Sequence, residues 1–305
     1  MDLKLERLLD LHEPAAAGRP TYLSAASGLV RLGAHLYVVA DDEHHLGVFP
    51  VAAHTPGVLR RLLAGDLPVK PRARKKAKPD LEALVHLPAF EHYPHGALFA
   101  MGSGSKAQRQ TGALLRLNPQ LEIEGAPRLI DLGPLHAVLA DEFADLNIEG
   151  AVIVEDSLRL LQRGNKGHRV NAVIEIELSA VLAALTRGDA LSAMPLRRIQ
   201  CYDLGECGGV PLGFTDAATL PGGELIFTAV AENTADSYRD GECAGAALGL
   251  LDSQRQLQRI DLLAVARKLE GITAWSTAQG VEFLAVTDAD DETVPAQLWS
   301  GQFAR

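Results

Sequence analysis

Aromatic residues make up only 5% of the 305 residues, and cysteine occurs three times, as Cys201, Cys207 and Cys243. Three thiols cannot form an even disulfide framework, and with no Cys-x-x-Cys pair they offer no zinc site. The N-terminus, Met1 to Arg7, mixes both charge signs and lacks the apolar core of a signal peptide. These features point to a thiol-reduced, cytoplasmic setting. No apolar run approaches the ~18 residues of a membrane span. Positive charge is in deficit: the formal net charge is −10, which argues against a nucleic-acid binder, because neutralising phosphates needs a basic surface.

Turn-forming residues, by contrast, are plentiful, with 28 glycines and 16 prolines in a chain that is 47% hydrophobic. That composition favours many short elements joined by turns. A repeat organises them. Five times the chain runs from a small or acidic residue into a short apolar strand, a turn, and a second strongly β-prone strand. The starts are Ser27, Glu82, Glu149, Asp216 and Glu270, and the second strands are Leu36–Ala40, Ala97–Met101, Ser157–Leu161, Leu225–Ala229 and Phe283–Val286. A third strand follows each pair. A fourth, Arg-rich at its start, recurs at Arg128, Arg198 and Arg259, with a weaker copy at Val58–Leu63.

After the fifth repeat the chain ends one strand short, and the missing copy stands at the other terminus, as Glu6–Leu11. The expectation is an all-β, five-bladed β-propeller spanning residues 1–305 as one domain, its last blade closed by residues 3–11. Closure of that kind removes an exposed strand edge. A six-bladed ring and an irregular α/β protein are the alternatives, the latter because Leu178–Leu191 and Pro134–Leu146 read as helices.

In an up-and-down blade the first strand starts on the face where the second ends, so the five starts converge at one channel mouth. Four of them can be anionic, and like charges in a narrow space need compensation. A hard cation such as Ca²⁺, bound protons or nearby arginines would supply it. Alternatively, each acid caps its own turn. The second-strand ends add Asp41, Asp42, Glu43, Ser103, Ser105, Asn165, Glu232, Asn233, Asp288 and Asp290, and the loops beyond them carry Lys106, Arg109, Arg163, Lys166 and Arg169. The run Lys70–Lys78 holds six positive charges in nine residues. It reads either as a solvated loop or as a flap that draws anions to the mouth. Met101–Lys106 lacks the Walker spacing, and Asp288–Glu292 lacks the glycine and terminal glutamate of an EF-hand.

The starts Glu149-Gly150-Ala151 and Glu270-Gly271-Ile272 resemble those of the calcium-dependent propellers of the gluconolactonase and phytase-like groups. Ser27-Gly28-Leu29-Val30, Leu36 to Glu43 and Gly102 to Lys106 are similar to segments of bacterial propeller proteins related to those groups. The resemblance implies a channel-mouth metal, most simply Ca²⁺, with Glu82, Glu149 and Glu270 as ligands. It implies no particular reaction, and Ser27 stands where an acid would be expected.

Two functions fit these residues, beside a purely structural reading in which the ring of acids is solvated and function lies on a blade edge. One is metal-assisted hydrolysis of a small anionic ester, lactone or phosphoester. Glu82, Glu149, Asp216 and Glu270 would then hold the cation, Asp42 or Asp288 would act as general base, and Arg109, Arg163, Arg169, Lys106 and Ser103 would hold substrate. The other is a non-catalytic scaffold whose mouth binds a small anionic ligand or a protein partner.

Overall fold

The computed structural model describes residues 3–188, 190–191, 195–237 and 241–303. Five four-stranded antiparallel sheets form a five-bladed propeller. Blade 5 takes its outer strand from the N-terminus, β1 (Leu3–Leu8). Blade 1 is β2 (Ala26–Leu32), β3 (His35–Ala40), β4 (His45–Pro50) and β5 (Val58–Arg61). Blade 2 is β6 (Leu81–Leu87), β7 (Ala97–Gly102), β8 (Thr111–Arg116) and β9 (Arg128–Asp131). Blade 3 is β10 (Ile148–Val154), β11 (Ser157–Gln162), β12 (Asn171–Glu177) and β13 (Leu196–Tyr202). A small hairpin, β14 (Glu206–Cys207) and β15 (Val210–Pro211), precedes blade 4, which is β16 (Gly213–Thr219), β17 (Leu225–Glu232), β18 (Cys243–Leu251) and β19 (Leu257–Leu262). The remaining strands of blade 5 are β20 (Leu269–Thr277), β21 (Gly280–Thr287) and β22 (Gln297–Phe303).

The second strands are buried on both faces because a propeller blade is sandwiched between two neighbours, and most are apolar on both; β11 is the exception, with Arg159 paired to Glu175. In β3, Leu36, Val38 and Ala40 pack toward blade 5, while Tyr37 and Val39 pack toward blade 2. Five hydrophobic clusters result, one at each blade junction. Burying each Leu, Val or Phe fully contributes about 1.5–3 kcal/mol, so the ring is held by side chains between sheets.

Closure uses more than strand pairing. β1 pairs with β22, Leu3 opposite Gly301 and Leu8 opposite Gln297. The chain then turns inward earlier than the expected strand over Glu6–Leu11. Leu9 N–H donates to the Ala296 carbonyl (2.9 Å), Leu23 N–H to Leu9 (3.0 Å) and Ala296 N–H to Leu23 (2.7 Å). Leu9, Leu11 and Leu23 thereby fill the junction of blades 5 and 1.

Among the described residues, three α-helices and a short 3-10 turn (Ala107–Arg109) lie in the connections. α1 (Pro71–Ala77) is formed by the basic run, with Pro71 opening its first turn. α2 (Gly133–Ala140) and α3 (Leu178–Arg187) occupy the two stretches with helical periodicity, and the predicted continuation of α3 includes residue 189, outside the described residues. Among the described residues no helix is long and apolar enough to cross a membrane.

The inner strands approach one another closely around the channel. A Cβ on Gly271 would lie 2.6 Å from the Ser27 carbonyl oxygen and 2.7 Å from Leu29 N; one on Gly28 would lie 2.8 Å from the Glu82 carbonyl oxygen. Backbone cannot yield as a side chain can, so Gly271→Ala should cost about 1–3 kcal/mol. Denaturant unfolding should show this loss, while Gly188→Ala, with open space around it, should leave the midpoint in place.

Candidate functional site

Every inner strand breaks register where it enters the mouth. The breaks lie between Ala26 and Leu29, Leu81 and Ala83, Ile148 and Gly150, Phe214 and Asp216, and Leu269 and Ile272. A bulge leaves one or two residues unpaired and re-aims their side chains. The residues in the breaks are Ser27, Glu82, Glu149, Thr215 and Glu270, the two-residue breaks also taking in Gly28 and Gly271. Ser27, Glu82, Glu149 and Glu270 line one cavity at the channel mouth, of about 60 Å³, room for a few waters or an ion.

Asp216 stands one residue beyond this ring. Its strand register gives the bulge to Thr215, so Asp216 falls on the opposite face and does not line the cavity. There its Oδ2 accepts the Ile272 N–H at 3.0 Å, and the carboxyl also meets the amides of Leu29 and Ala217. Burial nevertheless pushes its pKa well above the usual carboxylate range. It stitches blades 4, 5 and 1 across the channel.

Nine carboxylates and four cations line the cavity. The cations are buried among the acids. Lys268 Nζ lies 2.7 Å from Asp290, 3.5 Å from Glu270, 3.7 Å from Asp288 and 3.8 Å from Glu232. Arg163 reaches Glu232 (2.7 Å), Glu149 (3.2 Å) and Glu270 (3.7 Å). Lys78 pairs with Asp41 and with Asp80 (2.9 Å). Arg109 donates to Asp80 at 2.7 Å and to Ser105 at 2.8 Å, and Ser103 donates to the same Asp80 oxygen. Burial alone would raise Asp80, but Lys78 and Arg109 hold it below its ordinary pKa.

In other acids burial outweighs whatever support the cations give. Burial raises Glu82 and Asp288 well above the ordinary range, and neighbouring carboxylates push the same way. Glu149 rises to about 8, through burial and Glu270, despite Arg163. Glu82 differs from the rest in a further way. It is 8% exposed, and no described residue hydrogen-bonds or ion-pairs with it. Its carboxylate, with those of Asp41 and Asp80, presents three oxygens within 4.8 Å of one another.

The other sequence candidates are distributed unevenly. Arg163 and Asp288 line the cavity. Arg109 also lines it, but is 2% exposed and held by Asp80, so it braces the wall. Ser103 is likewise fully buried behind Asp80. Asp42 lies outside the cavity, clamped by Arg19 (3.1 Å) and Arg74 (2.8 Å). Lys106 and Arg169 are exposed and line no part of it. The Lys70–Lys78 run forms a helix rather than a loop; Lys70, Arg72 and Lys76 are exposed to solvent, while Arg74 and Lys78 are counter-ions in the carboxylate network.

Sequence reasoning missed Lys78, Asp80, Asn147 and Lys268. All four stand on the approach to an inner strand. Asp80, Asn147 and Lys268 each lie two residues before a bulge glutamate, and Lys78 two before Asp80. Period two puts such residues on one side of an extended chain, a signal that was present at Lys78-Pro79-Asp80-Leu81-Glu82.

Residues 22–302 match the model of a family of unknown function (DUF6929). No curated protein matches the sequence. Among solved structures, a luciferin-regenerating enzyme is similar at 10% identity over 93% of this chain and 94% of its own, with TM-score 0.46. A hypothetical protein from Leishmania major is similar at 10% identity, covering 99% and 91%, with TM-score 0.48. Streptogramin B lyase is similar at 10% identity, covering 98% and 97%, with TM-score 0.36. At these levels no activity passes from them to this chain.

A carboxyl whose pKa is raised by folding favours the folded state while protonated. For Glu149 that contribution is complete below its ordinary 4.5 and is lost as pH rises through about 8. In chelator, the melting temperature of wild type should therefore fall between pH ~5 and 8 more than that of Glu149→Gln. Parallel profiles would contradict this assignment. Asp216→Ala should lower the unfolding free energy by about 1–3 kcal/mol, since the Ile272 amide loses its acceptor.

Proposed function

The chain belongs to the DUF6929 family, so its activity must be read from its own residues, and we propose that the mouth is a divalent-cation site serving a small anionic ester, lactone or phosphoester. Asp41, Asp80 and Glu82 would hold the cation. The observation that carries this reading is Glu82, a buried carboxylate without a partner beside two others. A buried, unpaired carboxylate is costly unless it is protonated or neutralised by a bound cation. An all-oxygen donor set suits a hard cation such as Ca²⁺.

When bound, the cation would polarise a ligand carbonyl or phosphoryl oxygen. The remaining roles fall to the chain itself. Glu149, raised to about 8 chiefly by burial, accepts from Asn147 on one oxygen and from Arg163 on the other, and a ligand that displaces either donor would meet a carboxyl able to exchange a proton. Arg163 and Lys268 keep fixed positive charge at the cavity wall, each set among three or more carboxylates, so that a ligand anion would reach them by replacing one of those acids. Asp42 and Asp288 are poorly placed as bases, because the first is clamped by two arginines and the second is buried beside Lys268.

A second reading, a non-catalytic binding scaffold, is favoured by the small free volume and by cations already satisfied within the network. Both readings share the cation, and turnover separates them.

Chelator-treated protein titrated with Ca²⁺, Mg²⁺ or Mn²⁺ should show a concentration-dependent rise in melting temperature, about 2.7 kcal/mol of stabilisation at one hundred times the dissociation constant. Glu82→Gln should abolish the rise while folding normally. Hydrolysis of lactones or phosphoesters that requires the same cation would establish the enzyme, whereas a thermal response without product would establish the scaffold.

A further inference from the structure

The basic run ends at the cation site. Lys78 caps the C-terminus of α1, its N–H donating to the Arg74 carbonyl at 2.7 Å. Its ammonium rests on Asp41 and Asp80, two of the three clustered carboxylates, and leaves Glu82 untouched. The protein thus already holds a cation at this cluster, one that uses only part of it. An ion bound to all three carboxylates and an ammonium bound to two of them cannot share the same oxygens.

α1 is itself latched. Arg74 is 4% exposed; its Nε donates to Asp42 (2.8 Å), its Nη1 to the Val69 carbonyl (2.8 Å) and its Nη2 to Glu292. The helix therefore bridges blade 1 and the loop of blade 5. Beneath it lies a cavity of about 350 Å³, with Ser24, Arg74, Lys75 and Glu292 in its walls. That cavity shares Asp41, Lys78, Asp288 and Asp290 with the mouth. Lys78 forms part of the partition between the two spaces, and the neighbouring cavity offers its side chain a place to withdraw, with Asp288 and Asp290 as new partners.

We infer that Lys78 is a built-in competitor at the Asp41–Asp80–Glu82 site, so that a divalent cation binds as the ammonium withdraws and α1 loosens from the mouth. This rests on the cation reading proposed above. A tethered competitor acts at high effective concentration, and the apparent affinity for the ion falls by the fraction of molecules in which the site is clear. A divalent ion can still win, because it carries twice the charge and gains the third carboxylate. Withdrawal of Lys78 also joins the 60 Å³ mouth to the 350 Å³ cavity, giving a space large enough for a small organic ligand.

Calorimetric titration of chelator-treated full-length protein with Ca²⁺ and with Mn²⁺ tests this, using wild type, Lys78→Met, Arg74→Gln and Glu82→Gln. Lys78→Met should bind at least ~10-fold more tightly than wild type, and Arg74→Gln, which unlatches the helix and frees Asp42 and Glu292 but touches none of the three clustered carboxylates, should lie between them. Hydrogen exchange of amides 72–78 in wild type should speed up when the ion is added. Equal or weaker binding by Lys78→Met, while wild type binds and Glu82→Gln does not, would overturn the competitor and leave the cation site standing. If Lys78→Met does not fold, unchanged affinity in Arg74→Gln together with unchanged exchange would overturn it instead. No binding by any of the four proteins would remove the cation site and this inference together.

Discussion

Crowding of carboxylates around a narrow channel is the constraint on which the rest of this mouth depends. Nine acids face a space that holds a few waters, and like charges at such distances cannot all remain ionised without compensation. The protein meets the problem by threading four cations between them. Lys268 and Arg163 serve blades 3, 4 and 5, while Lys78 and Arg109 serve blades 1 and 2. Breaking such a buried arrangement by removing one partner typically costs about 3–5 kcal/mol. The mouth is therefore structural and chemical at once, and Glu82, which has no partner among the described residues, is the point at which chemistry remains open.

Two backbone devices make the crowding possible. Register breaks at all five inner strands turn side chains into the channel that regular pleating would direct elsewhere. Glycines at 28, 150 and 271 then let neighbouring inner strands come within contact distance. Asp216 uses the same geometry differently: its carboxyl sits over Gly150, 2.8 Å from where a Cβ would stand, and binds the amide of Ile272. Rigid placement follows from the five interblade clusters, which fix each bulge relative to its neighbours.

Connections usually treated as ornament take part in the site. α1 brings Arg74 to Asp42 and Glu292, and delivers Lys78 to Asp41 and Asp80. The N-terminal segment, after completing blade 5, packs Leu9, Leu11 and Leu23 at the seam with blade 1 and carries Arg19 to Asp42 and Glu43. The seam of the ring and the Asp41–Asp80–Glu82 cluster are thus adjacent and share supporting residues.

The sequence by itself determined the number of blades, the closing strand and the face on which acids gather, because these follow from local periodicity and a repeat that survives divergence. Glu82, Glu149 and Glu270 were legible for the same reason. Tertiary structure decided the rest. A bulge shifts facing by one residue, so the alignment that put Asp216 in the ring could not know that Thr215 takes the bulge in blade 4. Asp42 looked free beside Asp41 until two arginines, 23 and 32 residues away along the chain, closed on it. Lys78 was legible only as the end of a basic run and Lys268 not at all, since charge pairing across blades leaves no mark on local pattern. Periodicity is a property of neighbours in the chain, and compensation of charge is a property of neighbours in space.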